Sequence, residues 1–270
     1  MRSSYCCAPI EERADPMWHA LHQVVRFEAR RTRTRGRMLI WLSLACFPSA
    51  LMILLQAQAD SAIPDEPLAM MSYYLVVQVG CMLGLLLWAT PAIGAELEAQ
   101  TWVYLAMRPA GKLAILFGKY VVAAAWTASA GMVSAVGVAY FSQYVDPWRL
   151  ATALLGLVLL SSLCYAALYV LIGVVFSARA TVVAVVYTLV LEGVLSSVPA
   201  TINKFTVCYR LRSLLAEWVE LLEVRLAVHE LFGYEPALQH VGYLALYTVA
   251  VLCVAAVVVH TKQFPVNNDA

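Results

Sequence analysis

Long uninterrupted runs of apolar residues dominate this chain. Six stand out, at about 38–58, 69–93, 114–141, 150–176, 180–198 and 240–260. Windows of 18 or more residues with at most one charge recur along them, the length at which a helix covers a hydrocarbon core of roughly 30 Å. The pattern predicts an all-α, polytopic membrane protein with six transmembrane helices.

Two polar-flanked stretches carry helical rather than continuous apolar patterning. In PMWHALHQVVRFEARRTRTRGR, Trp18, Leu21, Val24 and Val25 share one stripe, and His22, Arg26 and Arg30 recur opposite. This predicts an N-terminal interfacial amphipathic helix along the inner membrane surface, with Arg26 and Arg30 at anionic lipid headgroups. A simpler reading makes the arginine cluster 30–37 a basic stop that orients the first span, but that role needs no apolar stripe. Between the fifth and sixth runs, Leu214, Leu215, Trp218, Leu221 and Leu222 share a face, and Glu217, Glu220 and Glu223 share another. One or two short extracytoplasmic helices are expected there, lying on the outer leaflet or dipping into it, either as a lid over a pathway or as packing against the bundle.

Composition agrees with a membrane chain: 62% of the 270 residues are hydrophobic and 13% charged, against about 25% charged in soluble domains. Charge then orients the spans. Threading the 18 Lys and Arg residues through six spans puts 13 on the side of the termini and 5, Arg149, Lys204, Arg210, Arg212 and Arg225, on the other. The positive-inside rule makes the richer side cytoplasmic, so both termini are expected inside a cell (inner) membrane. The first 16 residues lack the apolar core of a signal peptide, and the first run is expected to act as an uncleaved span. The net charge of +1 gives no sign of a nucleic-acid partner.

Candidate chemistry is sparse. The seven cysteines form no C-x-x-C pair and read as packing residues, with no metal site expected. No G-x-S-x-G, H-E-x-x-H or P-loop pattern occurs, so no catalytic residue is assigned and the chain is not expected to be an enzyme. Glu192 is the one acid well inside a run, roughly 18 Å from the inner end at 1.5 Å per residue. It is a candidate polar point on a substrate path or at a helix interface; the competing reading is a protonated carboxyl, or one reaching toward outer water. Gly80 and Gly84 form a G-x-x-x-G, and Ala123 to Ala130 lie in a small-residue stretch of the third run; both permit close helix approach.

The most informative stretch is the break between the second and third runs, GAELEAQTWVYLAMRPAGKLAILFGK. Glu96, Glu98, Gln100 and Thr101 open a helix-competent segment, with acids where a helix N-terminus favours them. Arg108 and Pro109 end it, because a residue before proline is steered out of helical geometry. A new helix is expected from Lys112, with Lys112 and Lys119 at the membrane surface. Trp102, Tyr104 and Leu105 on a cytoplasmic helix need something to cover them.

Here the sequence resembles the ABC-2 type (type V exporter-like) permease family. That family has E-x-E-x-x-T-x-x-x-L-x-x-R/L-P after the second span, then a basic residue and a G-K at the start of the third. The match runs through Glu96, Glu98, Thr101, Leu105, Arg108, Pro109, Lys112, Gly118 and Lys119; it departs where Ala99-Gln100 stands in place of the frequent Lys-Gly or Arg-Gly. The resemblance implies a permease subunit, usually of an exporter, paired with a second permease chain, as homodimer or heterodimer, and with ATP-binding subunits that hold ATP and magnesium; no cofactor is expected on this chain. It makes the 94–108 helix a coupling helix seated in the ATPase through Glu96, Glu98, Thr101, Trp102, Leu105, Arg108 and Pro109. The implied division is a tail with interfacial helix at 1–37, a transmembrane domain at 38–262 with coupling segment 94–113 and extracytoplasmic segment 199–239, and a tail at 263–270. The competing function is a membrane scaffold that recruits a different cytoplasmic partner through the same helix.

Overall fold

The computed structural model describes residues 17–58, 63–92, 94, 111–194, 204, 206–222, 224–226 and 235–262, all of them helix or connection with no strand. The helices are α1 (Met17–Thr32), α2 (Arg35–Gln58), α3 (Asp65–Trp88), α4 (Gly111–Phe141), α5 (Pro147–Val175), α6 (Ala180–Val194), α7 (Val207–Trp218) and α8 (Ala237–Thr261). Five of them, α2, α3, α4, α5 and α8, are long and apolar enough to cross a membrane. The chain is a multi-pass membrane protein. The expected fifth span corresponds to α6, which is apolar and spans roughly 22 Å over its described length; residues 195–198 of the expected run lie outside the described residues.

α5 forms the centre. Leu154, Leu157, Val158, Tyr165, Tyr169 and Val170 on it are all at most 1% exposed, with α3, α4, α7 and α8 packed round it. α2 and α8 sit at the edge and turn Leu39, Leu42 and Leu54, or Leu238, Leu246 and Val257, outward. Outward apolar side chains cost nothing where the surrounding medium is hydrocarbon, so the peripheral helices need no second apolar cover.

Polar contacts tie the helices at both ends. At the end where α1 lies, Lys262 Nζ donates to the carbonyls of Val174 and Val175 at 2.9 and 2.7 Å, a cation on the unsatisfied carbonyls at the C-terminus of α5. At the far end, Gln56 donates to the carbonyl of Ser142, and Asp146 caps α5 by accepting from the Arg149 N–H at 3.2 Å.

Small residues set the closest approaches. Of the two glycines in the G-x-x-x-G pair, Gly84 is the one used between helices: a β-carbon there would lie 2.8 Å from Thr127 Cγ2. Gly131 on α4 meets Val158 of α5 in the same way, at 2.8 Å from Cγ1. Gly173 is the tightest in kind, because its missing β-carbon would stand 2.9 Å from the backbone oxygen of Thr90, which cannot swing aside. Gly173→Ala is therefore expected to cost about 1–3 kcal/mol through overpacking. Gly242→Ala, with nothing within 4 Å, is expected to be neutral or to gain up to about 1 kcal/mol of helix stability. Thermal unfolding midpoints of the two detergent-purified variants check this, and equal midpoints would contradict the close approach.

Candidate functional site

Glu192 lies in the middle of the bundle, 1% exposed. Its carboxylate accepts from the Tyr165 hydroxyl of α5 at 2.9 Å and from the Tyr187 hydroxyl of its own helix at 3.3 Å. It also accepts from the backbone N–H of Cys208 at 3.2 Å, so the third partner is the first turn of α7. α7 starts inside the bundle. It begins beside Tyr165, roughly 27 Å along α5 from its start at 1.5 Å per residue, and runs back to that start, where Trp218 covers Gly156 and its carbonyl accepts from Arg149 Nε at 3.0 Å.

A helix that begins inside a membrane bundle has a specific difficulty. Its first N–H groups have no helical acceptor and no water to turn to, and each left unpaired in apolar surroundings costs several kcal/mol. Two side chains answer it: Thr206 accepts from the Tyr209 N–H at 3.2 Å, and Glu192 takes the Cys208 N–H. The partial positive charge of a helix N-terminus favours a carboxylate there, which accounts for an acid in an otherwise apolar run.

α3 closes the other side of the site. Tyr73 donates to the Cys208 carbonyl at 3.2 Å, and Gln78 donates to the Glu192 carbonyl at 3.3 Å while accepting from Cys208 Sγ at 3.3 Å. Gln78 and Glu192 each sit in a π-helical turn, Tyr74–Gly80 and Thr188–Val194. Wide turns of this kind are rare and recur where a helix re-aims side chains for a task. The Tyr169 hydroxyl and Thr188 Oγ1 pair at 2.6 Å just below.

A second polar group fixes α7 nearer the far end. Arg210, 7% exposed, pairs with Glu235, donates from Nε to the Lys204 carbonyl at 2.9 Å and has Nη1 3.1 Å from His240 Nδ1. Its guanidinium carbon stands 4.6 Å from the Tyr243 ring centroid. Lys204 completes the group at 3.1 Å from Glu235. Burial pushes the Glu235 carboxyl upward, but Lys204 and Arg210 outweigh it and hold it below the usual glutamate value.

At the α1 end, Val24 fills the space over Gly118, where a β-carbon would lie 2.6 Å from Val24 Cγ1. Glu28 and Lys119 pair beside it at 2.7 Å, with side chains 12% and 5% exposed. The apolar stripe of α1 thus meets α4 at Val24, and Lys119 has an intramolecular partner. Arg26 and Arg30 face outward, and Lys112 is half-buried. The Trp18 side chain and the residues Glu96, Glu98, Thr101, Trp102, Leu105, Arg108 and Pro109 lie outside the described residues. The structure therefore brings Glu192 together with Tyr73, Gln78, Tyr165, Tyr187 and Cys208, none of which sequence reasoning singled out. The available signal was the set of tyrosines and one Gln inside apolar runs.

The sequence profile of a family described as "ABC-2 family transporter protein" matches residues 25–194. No curated relative matches the chain.

Proposed function

From a chain that belongs to the ABC-2 transporter family, and is therefore a permease component of an ABC transporter, we propose an exporter subunit that couples ATP hydrolysis on a separate subunit to substrate movement. The observation that carries this reading is the extent of the family match, which runs from α1 to the end of α6 and includes the break at 94–113. Permeases of this family normally pair with an ATP-binding subunit. In this proposal ATP and magnesium sit on that subunit, a second permease chain completes the pathway, and residues 94–108 form the coupling helix. The basic bias of the α1 end supports an inner-membrane orientation with cytoplasmic termini, a tail and interfacial helix at 1–37, the spans within 38–262, an extracytoplasmic segment at 199–239 and a tail at 263–270.

With that orientation α7 runs from the middle of the bundle toward the outer side, and its start at Glu192 acts as a latch that keeps the outer half of the bundle shut. Closure of the ATPase pair would pull on 94–108 and on α1, and the packed bundle would answer by moving between discrete arrangements. The start of α7 is the suitable element to move, since hydrogen bonds to Glu192, Tyr73 and Gln78 hold it there, whereas Leu211, Leu214 and Leu215 further along fix the helix in the apolar core.

The partner assignment is tested by capture. A tagged chain taken from its native membrane is expected to retain a Walker-motif ATPase. Glu96→Arg and Trp102→Asp are expected to reduce that retention at least tenfold, about 1.4 kcal/mol or more, with membrane yield unchanged. Full ATPase retention in both variants would remove the coupling-helix assignment, and retention of a non-ATPase protein alone would favour the scaffold.

A further inference from the structure

α1 and α2 meet at an elbow, Arg33–Thr34, and on its outer side an open groove of about 470 Å³ runs down the first two turns of α2. Arg33 and Arg35 line its upper end, and Met38, Leu39, Trp41 and Leu42 line the rest. Both arginines are exposed, and neither forms an ion pair among the described residues. Their surroundings are strongly cationic: five arginines fall between residues 30 and 37, and no acid occurs between Glu28 and Asp60. Below them the apolar wall is accessible, with Met38, Leu39 and Leu42 exposed by 43%, 67% and 52%. Trp41 is held in place, its indole N–H donating to Ser129 Oγ on α4 at 3.1 Å.

This is an amphiphile-shaped site: two guanidiniums over an aliphatic and aromatic trough roughly 10 Å long, the rise from Arg35 to Leu42. We propose that the elbow binds one anionic phospholipid, its phosphate between Arg33 and Arg35 and the start of an acyl chain along Met38, Leu39, Trp41 and Leu42. Guanidinium groups suit phosphate oxygens because they donate in pairs. The class is anionic rather than zwitterionic because a choline or ethanolamine headgroup would bring its own cation beside Arg33 and Arg35, neither of which has an ion-pair partner among the described residues. The site goes beyond the transporter reading and does not depend on which partner the chain has.

The test uses the full chain in detergent, titrated with phosphatidylglycerol or phosphatidylcholine carrying brominated acyl chains that quench nearby indoles. The quench attributable to Trp41 is the difference between wild type and Trp41→Phe. It is expected to saturate at lower phosphatidylglycerol than phosphatidylcholine, and Arg33→Gln with Arg35→Gln is expected to reduce that preference about fivefold for each arginine removed. Arg26→Gln with Arg179→Gln, both exposed and neither lining the groove, is expected to leave most of it. An equal fall in both pairs, or no Trp41 component, would overturn the site in favour of diffuse surface charge. Inorganic phosphate at millimolar concentration is expected not to displace the lipid; displacement would mean an ion site without a chain trough, and would overturn the lipid assignment.

Discussion

Glu192→Leu is expected to lower the stability of the detergent-purified protein by several kcal/mol. The leucine fills much of the same space but accepts nothing, so the Cys208 N–H and the hydroxyls of Tyr165 and Tyr187 lose an acceptor in the middle of the bundle. Each buried polar group left unpaired costs about 1–3 kcal/mol, against a total stability of about 5–15 kcal/mol for a typical domain. Glu192→Gln keeps one acceptor oxygen at nearly the same position and is expected to lose less than half as much. The thermal midpoints of the three proteins, measured side by side, give the order wild type, Gln, Leu. A leucine variant as stable as wild type would mean that α7 does not need the carboxylate.

The second large effect belongs to the α1 end. Lys119→Met leaves Glu28 against α4 with its short-range partner gone, and removing one member of a largely buried pair typically costs about 3–5 kcal/mol. Replacing both, Lys119→Met with Glu28→Leu, removes the stranded charge and is expected to return most of that loss. The coupling energy from the four midpoints, taken as a double-mutant cycle, is expected to exceed about 1 kcal/mol. Strict additivity would contradict the pairing. The cycle also separates stability from coupling: if α1 passes force to α4 through packing at Gly118 rather than through the ion pair, the double variant keeps its stimulation of the ATPase.

These two sites differ in how far the residues alone disclosed them. The apolar runs fixed the helices well, because a window of some 20 apolar residues has few alternatives to a membrane helix. Glu192 was visible for the same reason, as an acid where acids are costly. Its partners were not visible, because Tyr165 reaches it only through the packing of α5 on α6, and Cys208 only because α7 starts inside the bundle. An amphipathic helix that lies on a leaflet and one that dips into a bundle share a sequence pattern, since both need a single apolar face. α1 shows the same degeneracy: its stripe disclosed a face to be covered, and the contact of Val24 with Gly118 shows α4 as a cover. Glu28 drew no attention because an acid on an amphipathic helix normally meets water. The Glu96 to Pro109 segment is the reverse case, legible as a motif while lying outside the described residues.

The claim that α7 is a latch under the control of ATP can be measured at Cys208, which is 2% exposed. In a variant that keeps this one of the seven cysteines, assembled with its ATPase partner in membranes, the rate of maleimide labelling reports opening of the site. The account predicts slow labelling without nucleotide, a clear rise when a non-hydrolysable ATP analogue is bound, and fast labelling in both states for Glu192→Leu. Labelling that stays slow with nucleotide, in a complex whose ATPase is active, would contradict it.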